Sequence, residues 1–271
     1  MARSETRLFP ALLRHWRMRR GHSQLDLAVT ADVSARHLSF LETGRAQPSR
    51  EMVLRLASTL LVPLRDQNAM LRAAGFQEEF PEPSIEGGLP PGVTQAIERM
   101  LAQHEPFPMM VVDRRYDVLR TNHGTVRLLE RFVHEPSALT APPNVFTLLF
   151  DPRLVRPYIV DWERVAHTLV ARLYRETLAQ PGAMDLAALL RSLFEHPDVP
   201  EGWRQPDLSV SSDATLTFRL RRGDLDLSFL TTVTMFSAPQ NVTLEELKLE
   251  SYFPLDDATA RACERLARDD R

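Results

Sequence analysis

The sequence has a single cysteine, no apolar run of membrane-spanning length and no signal-peptide pattern at its start. One cysteine, Cys263, excludes an intrachain disulfide and is typical of a reducing compartment. The missing apolar run excludes a transmembrane helix, and the missing signal argues against secretion. These absences predict a cytoplasmic protein without a membrane partner.

Signatures of catalysis are also missing. The chain has no HExxH, CxxC or GxSxG motif and no phosphate-binding glycine loop. The histidines lack the spacing of metal ligands, and only His123 or His167 could serve a haem as axial ligand. We therefore expect no enzyme activity, no metal site and no required cofactor.

The charge is unevenly distributed along the chain. Residues 1–76 contain 12 Arg and 6 Asp plus Glu, whereas the remainder contains 21 Lys plus Arg and 30 Asp plus Glu. The formal charges are +6 and −9, which sum to the net −3 of the chain. A basic segment attached to an acidic body predicts that the N-terminal part contacts a polyanion.

The segment QLDLAVTADVSARHLSFLETG, residues 24–44, is typical of two short helices joined by a tight turn. Ser34 is placed to cap the second helix, Gly44 to end it, and Asp32 to occupy the turn in a left-handed conformation. A preceding helix is predicted to place Leu8, Leu12 and Trp16 inward. Two further helices complete a compact five-helix, all-α domain over residues 1–76.

The rest of the chain changes character at residues 77–92, which contain four Pro, three Gly and no Lys or Arg and therefore predict a linker or extended arm. Residues 93–271 then alternate helical patterns with five predicted strands. Two strands precede the long helical pattern at 157–179 and three follow it, around a hairpin turn at Arg222-Gly223-Asp224. This order predicts an α+β domain, a five-stranded antiparallel sheet with helices on one face.

The first domain resembles the Cro/repressor (XRE) helix-turn-helix family through Gln24, Leu27, Ala28, Val33, Ser34, Leu38, Leu41, Glu42 and Gly44. Asp32 departs from that pattern, which favours Gly. The runs VVDRRYDVLRTN, APPNVFTLLF, LSFLTTVTMF and LKLESYFP resemble the ligand-binding domain of MmyB-like bacterial regulators, which is PAS-like. The resemblance covers nearly the whole chain and implies a ligand-responsive transcription regulator.

The resemblance implies that the helix after Ser34 enters the major groove of DNA. The expected DNA-binding residues are Gln24, Ser34, Ala35, Arg36, His37, Ser39, Phe40, Arg45 and Arg50. Arg36 could grip guanine, Ala35 or Phe40 could touch a thymine methyl, and Gln24, Arg45 and Arg50 could hold phosphates. The alternatives are that the arginines are solvated surface charges and that Phe40 packs against a neighbouring helix. Such modules usually bind a pseudo-palindromic double-stranded operator as homodimers.

A PAS-like sheet packed on helices implies an apolar pocket with a few polar groups. The expected ligand-binding residues are Asn122, Phe132, Asn144, Phe146, Leu149, Arg156, His167, Leu169, Arg172, Leu173, Phe229 and Thr231. An apolar slot with an arginine suits an amphipathic acid, so a bound fatty acid or similar apolar ligand is expected. Two alternatives stay open: a domain that only dimerises or binds proteins, and an enzyme with an appended DNA-binding domain.

Overall fold

The computed structural model describes residues 8–179, 184–207, 216–237 and 239–269. The chain divides into two compact units. The first comprises Met1–Ser84 together with Phe236–Glu245, and the second comprises Ile85–Met235 together with Glu246–Arg271. Among the helices described, none has the length and apolar character that crossing a bilayer requires.

Five helices lie in the described part of residues 1–84: α1 (Leu8–Arg19), α2 (Gln24–Thr30), α3 (Ala35–Glu42), α4 (Arg50–Thr59) and α5 (Leu64–Ala73). Their inward side chains form one apolar core that includes Leu27, Leu38, Leu41 and Leu56. Serine side chains cap three of the helices, because the hydroxyls of Ser23, Ser34 and Ser49 accept from backbone N–H groups in the first turn.

The inward face of α1 differs from the predicted one. Phe9, Leu13 and Trp16 are buried, whereas Leu8 is 53% exposed and Leu12 is only partly buried. At about 100° per residue, positions spaced by four and then three stay on one face, whereas eight residues drift by most of a quarter turn. The choice of Leu8 as a core residue was therefore wrong, because Trp16 aligns with Phe9.

The turn between α2 and α3 has the backbone predicted for it. Asp32 adopts a left-handed conformation with φ of 53°, and Gly44, just after α3, has φ of 70°. The N–H of Val33 donates to the carbonyl of Ala28 at 2.9 Å, which closes the turn behind Asp32. Aspartate tolerates this conformation better than most residues, so it can stand where the family pattern favours glycine.

Part of the segment predicted as a linker is held within the first unit. The amide nitrogen of Asn68 donates to the carbonyl of Phe80 at 2.7 Å, and its oxygen accepts from the N–H groups of Glu79 and Phe80, both at 3.1 Å. Asn68 is buried. Residues 79 and 80 are therefore fixed on α5 by one amide side chain.

The distant segment Phe236–Glu245 also belongs to the first unit. The N–H of Val242 donates to the carbonyl of Pro81 at 3.0 Å, and the hydroxyl of Thr243 donates to the carbonyl of Pro83 at 2.7 Å. The carboxylate of Glu245 accepts from the N–H of Leu64 at 2.7 Å. Because Pro63 offers no side-chain cap to α5, Glu245 satisfies an N–H group that the helix leaves open.

The described part of the second unit contains helices, strands and short 3₁₀ turns in mixed order. Its helices are α6 (Pro91–Gln103), α7 (His123–Phe132), α8 (Val145–Phe150), α9 (Trp162–Ala179), α10 (Met184–Leu193) and α12 (Asp257–Asp269). The short helix α11 (Val242–Glu246) ends at the boundary between the units. The strands are β1 (Met109–Val112), β2 (Val118–Thr121), β3 (Ile159–Val160), β4 (Leu216–Arg222), β5 (Leu225–Thr234) and β6 (Lys248–Pro254).

The strands form a six-stranded antiparallel sheet in the order β2-β1-β6-β5-β4-β3. The five predicted strands are present, and the hairpin joins β4 to β5 at the predicted turn. The additional strand β3 has two residues, of which Ile159 pairs with Leu220. Because two residues are too few to show an alternating pattern, the sequence predicted one long helix from 157, whereas α9 begins at Trp162.

The sequence predicted that the helices of the second unit lie on one face of the sheet. The residue that ends α6, however, packs on the other face. Successive side chains of β6 point to opposite faces, so Phe253 lies on the face opposite Tyr252. The ring of His104, just after α6, packs edge-on against Phe253 at 4.9 Å between centroids. The residue that ends α6 therefore contacts this second face, and the side chains of β6 are buried from Lys248 to Tyr252.

Candidate nucleic-acid interface and ligand cavity

Glu42 joins the three helices that present the first candidate site. Its carboxylate accepts from the guanidinium of Arg17 on α1, at 2.5 Å from Nε and 3.0 Å from Nη2, and from the amide of Gln24 on α2 at 2.7 Å. The Glu42 side chain is only 3% exposed. The hydrogen bond to Glu42 raises the pKa of Arg17 in spite of its partial burial. This bidentate pair fixes the angle between α1, α2 and α3.

The outward face of α3 carries exposed, positively charged side chains. Ala35, Arg36 and Arg45 are exposed, and the guanidinium groups of both arginines lie over the ring of Phe40, at 5.3 Å and 6.0 Å from its centroid. Phe40 is half-buried but is not among the described residues of the core. Two guanidinium groups therefore lie close to one aromatic ring at the surface.

Three of the predicted DNA-binding residues have intramolecular partners. The hydroxyl of Ser34 accepts from the N–H of His37 at 3.1 Å and so serves as the helix cap. The Gln24 amide nitrogen is bound to Glu42, and the Arg50 guanidinium forms an ion pair with Glu79. By contrast, Arg36 and Arg45 form no ion pair with any described residue. The free cationic groups of this face are thus those two arginines, beside the half-buried His37 and Ser39.

The second unit contains a cavity of about 430 Å³ between α9, α8 and the sheet. Its wall is mainly apolar and includes Phe146, Leu149, Val165, Leu169, Phe218 and Val233. Polar side chains also reach it, from α9 and from the strands β5 and β6. A volume of this size is in the range of small-molecule sites.

At the polar end of the cavity, Glu176 is the centre of a hydrogen-bond network. It accepts from the hydroxyl of Tyr116 at 2.6 Å, from Arg172 Nε at 3.2 Å and from Lys248 Nζ at 2.9 Å. Lys248, the only lysine of the sequence, also lies 3.9 Å from the centroid of the Tyr116 ring. Two cations surround one carboxylate, so this cluster has one positive charge in excess.

Burial and neighbouring charges set the pKa values in this cluster. Burial opposes ionisation of Glu176, but Lys248, Tyr116 and Arg172 outweigh it and lower the pKa of that carboxyl. The pKa of Lys248 is lowered by its burial, against the attraction of Glu176. Arg172 keeps its charge, because Tyr116 and Glu176 raise its pKa although burial lowers it. A charged Arg172 therefore faces the cavity.

A second carboxyl group on the cavity wall behaves differently. Glu250 is 5% exposed, and burial raises its pKa, although Arg172 and Lys248 act in the opposite direction. Its hydrogen bond from the hydroxyl of Tyr252 is long, at 3.4 Å. Thr231 on β5 also lines the cavity, and its hydroxyl has no hydrogen-bond partner among the described residues.

Five of the predicted ligand-binding residues line the cavity: Phe146, Leu149, Leu169, Arg172 and Thr231. Three others, Phe132, Leu173 and Phe229, are fully buried core residues outside its lining. Asn122 and Asn144 cap α7 and α8 with their side-chain oxygens. These seemingly exceptional polar residues in apolar surroundings are thus explained by helix capping.

The remaining two predicted residues also have structural partners away from the cavity. Arg156 lies 3.8 Å over the ring of Trp162 and donates to the carbonyl of Pro197 at 2.7 Å. His167 stacks on Trp203 with 5.0 Å between centroids. Within the described residues, no group of three or more His, Cys, Asp or Glu side chains is placed to hold a metal ion.

The sequence interpretation missed the polar end of the cavity. Tyr116, Glu176, Glu250 and Tyr252 all line it but had not been predicted. Glu176 could have been found, because it lies four residues after Arg172 and so on the same helical face. Glu250 and Tyr252 were not predicted, because β6 is buried on both faces along most of its length and its residue pattern does not show which face lines the cavity.

Two protein-family models match the chain. One, described as the MmyB-like transcription regulator ligand binding domain, matches residues 93–266, and another, described as a helix-turn-helix domain, matches residues 9–70. No curated protein sequence matches. A solved structure of an RNA-binding light-oxygen-voltage receptor is similar at 14% identity and a TM-score of 0.30. That alignment covers 95% of this chain and 65% of the receptor, and a likeness this weak carries no conclusion about function.

Proposed function

The chain belongs to the family of MmyB-like transcription regulators, and from that premise we propose that it binds its operator as a homodimer under the control of an amphipathic acid. As a helix-turn-helix protein with a ligand-binding domain it is a DNA-binding regulator, not an enzyme. Its site of action is the compartment that holds the DNA, in bacteria the cytoplasm.

Arg36 and Arg45 are the groups proposed to contact the operator. Both are exposed, Arg36 on α3 and Arg45 in the loop after it, and both guanidinium groups lie close to the ring of Phe40. An arginine at the start of a recognition helix can bind guanine O6 and N7, while a neighbouring arginine holds phosphate. Two copies of the module, reading half-sites about 34 Å apart, would require a pseudo-palindromic operator.

The observation that carries the ligand proposal is the excess positive charge at one end of an apolar cavity. Arg172 and Lys248 share one ionised partner, Glu176, so the carboxylate of a fatty-acid-like ligand would balance the remaining charge. Its acyl chain would pack on Phe146, Leu169 and their neighbours. The open volume favours ligand binding over a domain that only dimerises, and no further cofactor is needed.

The ligand proposal can be tested by thermal denaturation of the full chain with dodecanoic acid and with dodecanol. We expect the acid to raise the Tm and the alcohol to do so much less, because only the acid supplies a carboxylate. The variant Arg172→Gln should lose this preference for the acid. Equal responses to acid and alcohol, or none to either, would contradict the proposal.

Regulation requires that the ligand bind two states of the dimer with different affinity. We propose that occupancy of the cavity changes the geometry of the dimer and therefore the spacing of its two recognition helices. Operator DNA should be selected from a random pool at fixed salt, because phosphate contacts make affinity steeply salt-dependent. Titration of that DNA with and without dodecanoic acid then tests the switch, and unchanged affinity would leave only the DNA-binding part standing.

A further inference from the structure

The hydroxyl of Thr231 lacks a hydrogen-bond partner at the cavity wall. Thr231 is 7% exposed, and no described residue donates to or accepts from its Oγ1 atom. A buried hydroxyl without a partner destabilises the fold, so such groups are usually satisfied by a ligand or an ordered water. Thr231 lines the cavity, and because its Oγ1 atom has almost no accessible surface in the present rotamer, a rotation about the Cα–Cβ bond would turn it toward whatever fills the cavity.

The carboxyl group of Glu250 also has unused hydrogen-bonding capacity at this wall. Its one hydrogen bond among the described residues comes from the Tyr252 hydroxyl at 3.4 Å. Glu176, by comparison, accepts three shorter bonds at the same cavity. Since the carbonyl oxygen of a carboxyl group is an acceptor even when the group is protonated, Glu250 can accept at least one more donor from inside the cavity.

The sheet register places these two groups together. Thr231 is opposite Tyr252 and Val233 is opposite Glu250, so Thr231 and Glu250 are diagonal neighbours on one face. Diagonal positions of an antiparallel pair lie roughly 7–8 Å apart, within reach of a single small group between them. That group must donate to Glu250 and accept from, or donate to, Thr231.

We infer that the ligand carries a hydroxyl group on its acyl body, bound between Thr231 and Glu250, in addition to its carboxylate. This inference rests on the proposed acid-binding function and narrows it from fatty acids to hydroxylated acyl acids. A hydroxyl both donates and accepts, as the two side chains require. An ammonium group would fit less well, because the positive charges of Arg172 and Lys248 lie near Glu250 and would repel it.

The test compares the affinity of the full chain for dodecanoic acid with its affinity for the β-hydroxy and ω-hydroxy derivatives, by isothermal titration calorimetry. At least one hydroxy acid should bind about fivefold more tightly than the plain acid, since that is about the contribution of one buried hydrogen bond between uncharged groups. Equal affinities would overturn the inference and leave the proposed function intact. Failure of every acid to bind would overturn both.

Variants at Thr231 and Glu250 assign the effect to these residues. Thr231→Val keeps the shape and should abolish the preference for the hydroxy acid, whereas Thr231→Ser should keep it. Glu250→Gln retains an acceptor and should keep part of it, and Glu250→Leu should lose it. Thr232→Val is the matched control, because Thr232 points to the other face of β5. A preference that survives both Thr231→Val and Glu250→Leu in folded protein contradicts the assignment.

Discussion

The two charged regions of the molecule differ in whether their charges have partners. On α3 and in the loop that follows it, Arg36 and Arg45 are exposed and form no ion pair with a described residue. At the cavity, Lys248 is 11% exposed and Arg172 is 35% exposed, and both bind Glu176. The first arrangement leaves both cations available to a macromolecule. In the second, Glu176 balances one of the two positive charges, and the other remains for a small ligand.

This difference predicts that substitutions in the two regions change different properties of the protein. A surface arginine contributes little to stability, because water solvates it well in the free protein. A buried charge that loses its partner destabilises the fold, since the remaining ion stays desolvated. Stability and DNA affinity should therefore respond separately.

The largest effect is expected from Glu176→Gln. Removing this carboxylate leaves Lys248 and Arg172 without their shared anion, and we expect the free energy of unfolding to fall by about 3 kcal/mol. Urea denaturation of the full chain measures this. Glu163→Gln, an exposed position on the same helix, is the control and should change stability by less than about 0.5 kcal/mol. Similar values for the two variants would mean that the cavity charges behave as surface charges.

Arg36→Ala should show the opposite behaviour. We expect operator affinity to weaken by about 1–3 kcal/mol, with relaxed specificity at one base pair, while the Tm stays nearly unchanged. Fluorescence anisotropy with the selected operator at fixed salt measures the affinity. Arg99→Ala removes the same charge from an exposed position of the second unit and should leave DNA binding as it is. A large loss of Tm in Arg36→Ala would remove the distinction between the two regions.

The two carboxyl groups of the cavity should give opposite pH dependence. The pKa of Glu176 is lowered in the fold, so its contribution to stability is present at neutral pH and is lost as the pH falls through that pKa. The pKa of Glu250 is raised by burial, so its contribution is present at low pH and is lost as the pH rises through that pKa. The other ionisable groups that influence it are Arg172, Lys248, Glu176 and Tyr252.

Glu250→Gln should consequently remove the loss of stability on the alkaline side. Above the raised pKa the variant should be more stable than the wild type, by about 1 kcal/mol, the common size of a single substitution. Urea denaturation at several pH values checks this. A variant that is less stable than the wild type throughout would show that ionised Glu250 stabilises the fold through Arg172 and Lys248.

The smallest effect separates two arginines of the first unit. Arg45 has no ion-pair partner among the described residues, whereas Arg50 is paired with Glu79. Arg45→Ala should reduce the slope of log affinity against log salt concentration by about 1, and Arg50→Ala by less, because DNA must compete with Glu79 for it. Operator titrations at several salt concentrations measure both slopes. Equal reductions of the two slopes would mean that the ion pair with Glu79 does not hinder Arg50 from binding phosphate.

The sequence predicted the first unit well because its signals are local. The capping role of Ser34 and the left-handed turn at Asp32 each depend on a few neighbouring residues. The link from Arg17 and Gln24 to Glu42 was not predicted, since it joins positions 25 and 18 residues apart. Helical periodicity shows which face is inward, but not which polar partners meet there.

The cavity was predicted only in part, because its polar end is assembled from distant segments. Tyr116, Glu176 and Lys248 meet although 60 and 72 residues separate Glu176 from its two partners. The residue pattern of β6 gave no guide to its cavity face either, since a strand buried on both sides has no polar face. Of the residues predicted on α9, Leu169 and Arg172 line the cavity, whereas His167 and Leu173 do not.

Because the segment Phe236–Glu245 belongs to the first unit, that unit is built from two separate stretches of the sequence. The polypeptide passes between the two units at Ser84, at Met235 and again at Glu245, so neither unit is a single continuous stretch. Glu245, which caps α5, is encoded far from the helix that it completes. Exchanging the DNA-binding unit between such regulators therefore requires that both of its segments be exchanged, the one that ends at Ser84 and Phe236–Glu245. A chimaera joined near residue 84 alone would combine α5 with a foreign residue in place of Glu245.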